Sequence, residues 1–397
     1  MEVVQSSRVV ERAPGPGKTG LLQALRQVVA VVFLGLAPII ATAVVLCLAV
    51  GDDPAFDFHQ FWQGGRDVVH GVSPYQATGT LPDATTAAEL DPHGIRNAWR
   101  FPYPAPAAVA LAPFGALPFT LAAVIFTALL LAATPAALLV LGVRDWRCHG
   151  VACLSTATIG AVRLGALTPL LLLGLALSWR YRDRARVLVP VLAAVISLKL
   201  FLWPLVVWLA ATGRMRSALW TAAVAVFGTL AAWGAIGFKG LREYPELLDK
   251  LAQAVQGQSY STSSLWLALG LPQQLAPMAG AATGAVAIGL TFIVVRRSAV
   301  EADERAMTGA LIAALVMTPI LWVHYFMLLF LPLALFRRSL SLAWFVPLIF
   351  WVTPGWSDGD VWRILLVLGT AAATIAASMM SRAAAGPAGL EDPAVAR

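Results

Sequence analysis

Charge is scarce in this chain of 397 residues: Asp, Glu, Lys and Arg together make up 12%, against about 25% in an ordinary soluble domain. A water-soluble enzyme and a disordered chain are excluded on that ground. The Lys and Arg that exist outnumber the acids, for a net +7, yet they gather on no amphipathic helix or basic arm, so nucleic acid is excluded as a partner. Cysteine is nearly absent as well. Cys47, Cys148 and Cys153 show no zinc-like spacing and read as small buried hydrophobes. Alternating ten-residue segments are missing, which rules out a membrane β-barrel, and neither a GxGxxG nor a P-loop pattern nor an internal repeat occurs. What is present is apolar: 59% hydrophobic residues and a mean hydropathy of +0.76. In hydrocarbon only helices and closed barrels satisfy every backbone group, so the fold class is an all-α polytopic membrane protein.

Charge placement gives a topology. The first apolar stretch, Val28 to Val50, is too long for a signal-peptide core and reads as an uncleaved first span. Residues 1–27 and 383–397 read as disordered cytoplasmic tails around a membrane domain at 28–382. Short basic clusters recur at Arg144/Arg147, Arg180–Arg186, Arg214/Arg216, Arg296–Arg305 and Arg337/Arg338. Cytoplasmic loops collect Lys and Arg, and a stretch between two such loops must cross an even number of times. Residues 148–179, 187–213 and 306–336 therefore read as hairpins, giving about twelve transmembrane or re-entrant helices. Inner segments then hold 19 of the 28 Lys and Arg but 9 of the 21 Asp and Glu. Two long non-hydrophobic stretches, 51–118 and 238–274, fall outside as extracytoplasmic loops, a length that usually signals function.

Each hairpin carries one polar element near its tip: Arg163, Lys199, and Trp322-Val323-His324-Tyr325. A Lys or Arg at the bilayer centre costs about 2.5–3.5 kcal/mol. At an outer tip most of that cost vanishes and the charge becomes available to an anionic headgroup. Snorkelling accounts for any one of them; three together beneath an acidic loop point to a phosphate site. In the first loop, Asp57 lies between Phe56 and Phe58, where partial desolvation would raise its pKa toward that of a general base. Helix N-capping is its plain structural alternative, and Asp52 and Asp53 are competing carboxylates. The segments Gly71–Tyr75 and Arg100–Pro106 combine turn chemistry with aromatic rings, suited to stacking on a sugar or to anchoring at the interface. His59, His70 and His93 lie eleven and twenty-three residues apart, which matches no compact metal motif.

Taken in order, this carboxylate, Gly71-x-x-Pro74-Tyr75, the aromatic–Tyr–Pro segment at 101–106, the lysine hairpin and Pro319-x-x-Trp322-x-His324-Tyr325 resemble glycosyltransferase family 87 across about residues 28–380. These are bacterial GT-C membrane enzymes. The resemblance implies a GT-C-like fold with an outward-facing cavity and a polyprenyl-phosphate-linked sugar, with mannose the first expectation, as donor. It implies Asp57 as catalytic base and His324 as a contact to the donor phosphate, and Lys199 matches the lysine of the family's middle hairpin. The function expected is hexose transfer, with inversion at C1, to a lipid or glycan acceptor at the extracytoplasmic face of a bacterial inner membrane. Lys199, His324, Tyr325 and Arg163 are expected at the donor phosphate, and His59, Tyr75, Arg100, Tyr103 and Trp322 at the substrates. No cofactor is required by this scheme, and divalent-metal dependence stays open. The rival is a transporter or lipid flippase. It accounts less well for polar residues confined to one side and for the absence of repeated halves.

Overall fold

The computed structural model describes residues 18–49, 56–75, 101–297 and 301–380. Among them are 17 α-helices, a few short 3₁₀ and π segments, and no strand. Residues 1–17 and 383–397 of the expected tails, residues 76–100 with His93 and Arg100, and Asp52 and Asp53 lie outside the described residues. The N-terminal stretch expected as a disordered tail to residue 27 is already helical from Lys18, because Lys18–Val31 runs directly into the first apolar stretch.

Helix length sorts the molecule into two layers. Among the described residues five helices are long and apolar enough to cross a membrane: Ala24–Val44, Phe119–Val140, Met215–Ala235, Ala276–Arg297 and Val361–Met379. Their large side chains, such as Phe33, Leu219, Phe227, Met278 and Leu365, point outward uncovered, as a lipid-facing surface requires. The long helices wrap shorter ones. Ala276–Arg297 packs on Ala302–Met317, Phe119–Val140 on Thr168–Arg180, and Met215–Ala235 on Ala185–Leu198. The inner helices bury Leu171, Leu172, Leu175, Leu188, Leu192, Met307 and Leu311 in one continuous core. Length and composition thus give five spans, or six with one bent pair. The expected figure of about twelve would need the short apolar helices counted too.

The three expected hairpins are broken helices, and each break has a local cause. Thr156–Leu164 ends at Gly165, whose φ of +67° suits a residue without Cβ. Pro169 then opens Thr168–Arg180, as proline does in a first turn, and the two helices meet at 114°. Ala185–Leu198 stops at Lys199, whose backbone is extended. Ala302–Met317 stops at Thr318, also extended, because the residue before a proline is pushed out of the helical region.

The long stretch 51–118 contributes the helix Phe56–Val69, which lies against Ala105–Gly115. The approach is too close for side chains. A Cβ on Gly65 would come within 2.5 Å of the Leu111 carbonyl, and one on Gly115 within 2.1 Å of the Arg66 nitrogen. At the far ends of the inner helices a single carboxylate gathers the chain. Asp303 accepts from Arg182 at 2.8 Å, from both ends of the Arg214 guanidinium at 2.9 Å, and from the Trp208 indole at 2.7 Å.

Candidate active site

Opposite the Asp303 cluster, across the inner helices, the breaks open onto a cavity of about 1170 Å³. Its walls include Asp57 and Gln60 from Phe56–Val69, and Tyr103 from the segment that precedes Ala105–Gly115. Arg163, Lys199, and Trp322, His324 and Tyr325 come from the three breaks. Groups far apart in sequence therefore face one space because each break ends its helix at the same depth.

Lys199 is only 9% exposed, and among the described residues no carboxylate hydrogen-bonds to it. Its ammonium donates to the Tyr325 hydroxyl at 2.8 Å and sits over two rings, 4.5 Å from the centre of Tyr103 and 4.8 Å from that of Tyr325. Such a cage stabilises a cation without neutralising it. Phe201 stacks on Tyr325 at 5.3 Å and holds that ring in place. His324 meets the Tyr325 ring edge-on at 4.5 Å. It is 5% exposed, and its Nε2 has no hydrogen-bond partner among the described residues. A buried polar atom without a partner is costly unless a ligand or water supplies one. Arg163, in contrast, is exposed at the cavity rim.

Asp57 faces the cavity but is surrounded by protein. Burial pushes its pKa up from 3.8 to about 6, while the nearby charge of Lys199 and a hydrogen bond from Tyr103 pull it partly back. A carboxylate poised there accepts a proton readily near neutral pH.

The remaining predicted residues scatter. His59 packs toward Trp62 and Phe119, with ring centres at 6.1 and 5.5 Å, and is not part of the cavity wall. Tyr75 also lies behind the wall. Its ring is tilted on Trp233 at 4.5 Å, and its hydroxyl donates to the Tyr103 carbonyl at 2.5 Å. Both were expected at the substrates, and neither ring is part of the cavity wall. His70 is exposed, with Nδ1 2.8 Å from the Arg66 carbonyl oxygen. Among the described residues no three His, Cys, Asp or Glu side chains come together as a metal-holding group. Cys148 and Cys153 are buried thiols.

Several wall residues escaped the sequence reading. Gln60 lies three residues after Asp57, hence on the same helix face. The helix Tyr244–Val255 turns Tyr244, Leu248, Leu251 and Val255 onto the cavity, a helical period that was there to be read in the second loop. No periodicity announces the next element. Ser259 accepts from the Leu321 N–H at 2.9 Å, the Tyr260 N–H donates to the Leu321 carbonyl at 2.8 Å, and the Tyr260 hydroxyl reaches Pro354 at 2.5 Å. This latch fixes the break immediately before Trp322 and His324.

No curated protein and no solved structure matches the chain. The model of glycosyltransferase family 87 matches residues 101–332, which takes in the breaks at Arg163, Lys199 and His324 but not the Asp57 helix. With more than half of its length matched and its short helices opening onto a shared cavity, the chain belongs to glycosyltransferase family 87 and is a multi-pass membrane glycosyltransferase.

Proposed function

We propose that the enzyme transfers a hexose, mannose first among the candidates, from a polyprenyl-phosphate donor to a hydroxyl of a lipid or glycan acceptor at the extracytoplasmic membrane face. The observation that carries this reading is one cavity wall that holds a carboxylate, Asp57, together with a caged lysine and an unpartnered histidine. A base and an anion-binding set in one space are what a displacement at a sugar phosphate needs.

In the proposed step the acceptor oxygen attacks C1 of the sugar while Asp57 takes its proton. The new O–C1 bond forms as the bond from C1 to the phosphate oxygen breaks, and that electron pair leaves with the polyprenyl phosphate. One displacement inverts C1. Negative charge grows on the departing oxygen, where Lys199, His324, the Tyr325 hydroxyl and Arg163 stabilise it, typically the largest contribution in such catalysis. Trp322, which meets Trp356 edge-on at 5.4 Å, offers the sugar or acceptor an aromatic wall. Apolar wall residues, Leu248, Leu251 and Val255 among them, suit a lipid chain.

The test is purified enzyme in lipid vesicles with a panel of polyprenyl-phosphate sugars and a membrane-lipid acceptor pool, read by mass spectrometry. Transfer from one of the donors, lost in Asp57→Asn, supports the reading. Lipid movement across the vesicle without any new glycoside would favour the flippase instead. Cysteines placed at 163, 199 and 324 should label from the extracytoplasmic side; labelling from the cytoplasm alone would overturn the orientation.

A further inference from the structure

Tyr103 is pinned more thoroughly than a surface for sugar stacking would be. Its ring is 8% exposed, packs on Phe61 at 4.2 Å and lies beneath the Lys199 ammonium at 4.5 Å. Little of either face is left for a substrate. The backbone of its segment is held equally well. Two prolines, Pro102 and Pro104, flank Tyr103 and have no N–H to give. The exposed need is for donors to the carbonyls, and two phenols supply them. Tyr75 donates to the Tyr103 carbonyl at 2.5 Å and Tyr244 to the Pro102 carbonyl at 3.2 Å. Tyr75 and Tyr244 also pack on each other and on Trp233, with ring centres 4.5 to 5.6 Å apart. The one polar atom of Tyr103 that this packing directs toward the cavity is its hydroxyl, and it donates to the Asp57 carboxylate.

We propose that Tyr103 is a positioning residue for Asp57, and that Tyr75 and Tyr244, one from each outer loop, fix the Tyr103 backbone so that its hydroxyl meets the carboxylate in one geometry. The proposal rests on the reading of Asp57 as the base. It changes the meaning of two tyrosines expected at the substrate: their role is to hold the group that takes the proton. It also ties the second outer loop to catalysis through a donor that never touches substrate.

Among the described residues, Lys199 and Tyr103 act on Asp57 directly. Arg163, His324, Tyr325 and Tyr244 share its cavity, and the packed helices Ala105–Gly115 and Phe119–Val140 contribute no titratable side chain. A hydrogen bond to a carboxylate favours its charged form. Tyr103→Phe keeps the ring and removes only that bond, so the acidic limb of kcat/KM should move to higher pH by about one unit, with the plateau within about threefold of wild type. Tyr75→Phe leaves the bonding hydroxyl in place and should move the limb the same way by less. The double variant Tyr75→Phe/Tyr103→Phe should be no worse than Tyr103→Phe alone, since residues acting through one bond are not additive.

A limb that stays where it was in both single variants, or losses that multiply in the double one, would overturn the proposal. So would a uniform loss at all pH values, which marks a structural or substrate-contact role. Asp57→Asn separates the two levels of inference. Turnover surviving in Asp57→Asn defeats the base assignment itself, whereas a dead Asp57→Asn beside an unmoved limb in Tyr103→Phe defeats only the positioning role.

Discussion

The two ends of the short inner helices treat buried charge in opposite ways. At one end Arg182 and Arg214 share the Asp303 carboxylate through close ion pairs, with an indole completing the set. At the other, roughly 20 Å away along Thr168–Arg180, Lys199 has a phenol and two aromatic rings for company, and the His324 Nε2 has no hydrogen-bond partner among the described residues. A paired charge is settled and adds little beyond geometry. A cation held by rings and a phenol keeps its capacity for an anion that arrives and leaves. The Asp303 end fixes the helices so that the cavity end can stay unsatisfied.

Substitutions should therefore separate rate from stability. The largest effect belongs to Asp57→Asn, for which transfer is expected to fall by at least about 10²–10⁴, while thermal unfolding at pH 7 stays level or shifts upward. The sign follows from burial. With its pKa raised from 3.8 to about 6, the protonated carboxyl contributes stability below pH 3.8 that is lost as pH rises through 6. Asn keeps the group neutral throughout, so any gain in melting temperature over wild type should shrink as the pH is lowered from 7 to 5.

Next comes Lys199→Met, expected to lower kcat about 10²–10³-fold with little change in melting temperature, as its neighbours at the cage are aromatic. Asp303→Asn should invert that pattern. It takes the carboxylate from the partly buried Arg182 and leaves Arg214 with Asp183 alone, and should cost roughly 1–3 kcal/mol of stability, visible as a lower melting temperature, with a severalfold loss of rate at most. If Asp303→Asn instead stopped transfer and left melting unchanged, the division between the two ends would fail. The smallest effect is expected from Arg163→Gln: a few-fold rise in KM for the donor, because an exposed rim charge attracts more than it binds.

Much of this was legible from residue types alone, for identifiable reasons. Lys199 stood out because a lysine in an apolar run is expensive wherever it is placed, and Arg163 for the same reason. The motif around His324 stood out by its aromatic and proline neighbours. Asp57 was legible from its flanking phenylalanines. The roles of the tyrosines were not. Tyr75 and Tyr103 have similar turn-forming surroundings in sequence, yet one lies behind the wall and the other bonds to Asp57. The difference depends on contacts with Phe61, Trp233 and Tyr244, which lie up to 169 positions away in the chain. Asp303 drew no notice because an acid in the first turn of a helix is ordinary. Helix number also resisted, since 148–179, 187–213 and 306–336 hold too few residues for two full spans each, and only the breaks show how they fit.

What the sequence determined alone was the solvent: with so little charge and so many apolar residues, the chain had to fold as helices in a bilayer, where backbone groups find no water. It also limited where cations could be tolerated. Which cations face one another, and which phenol bonds to Asp57 and which lies behind the wall, was decided by tertiary structure. Those outcomes depend on where three interrupted helices stop and how closely glycine lets two others approach, and such contacts join residues that no local pattern links.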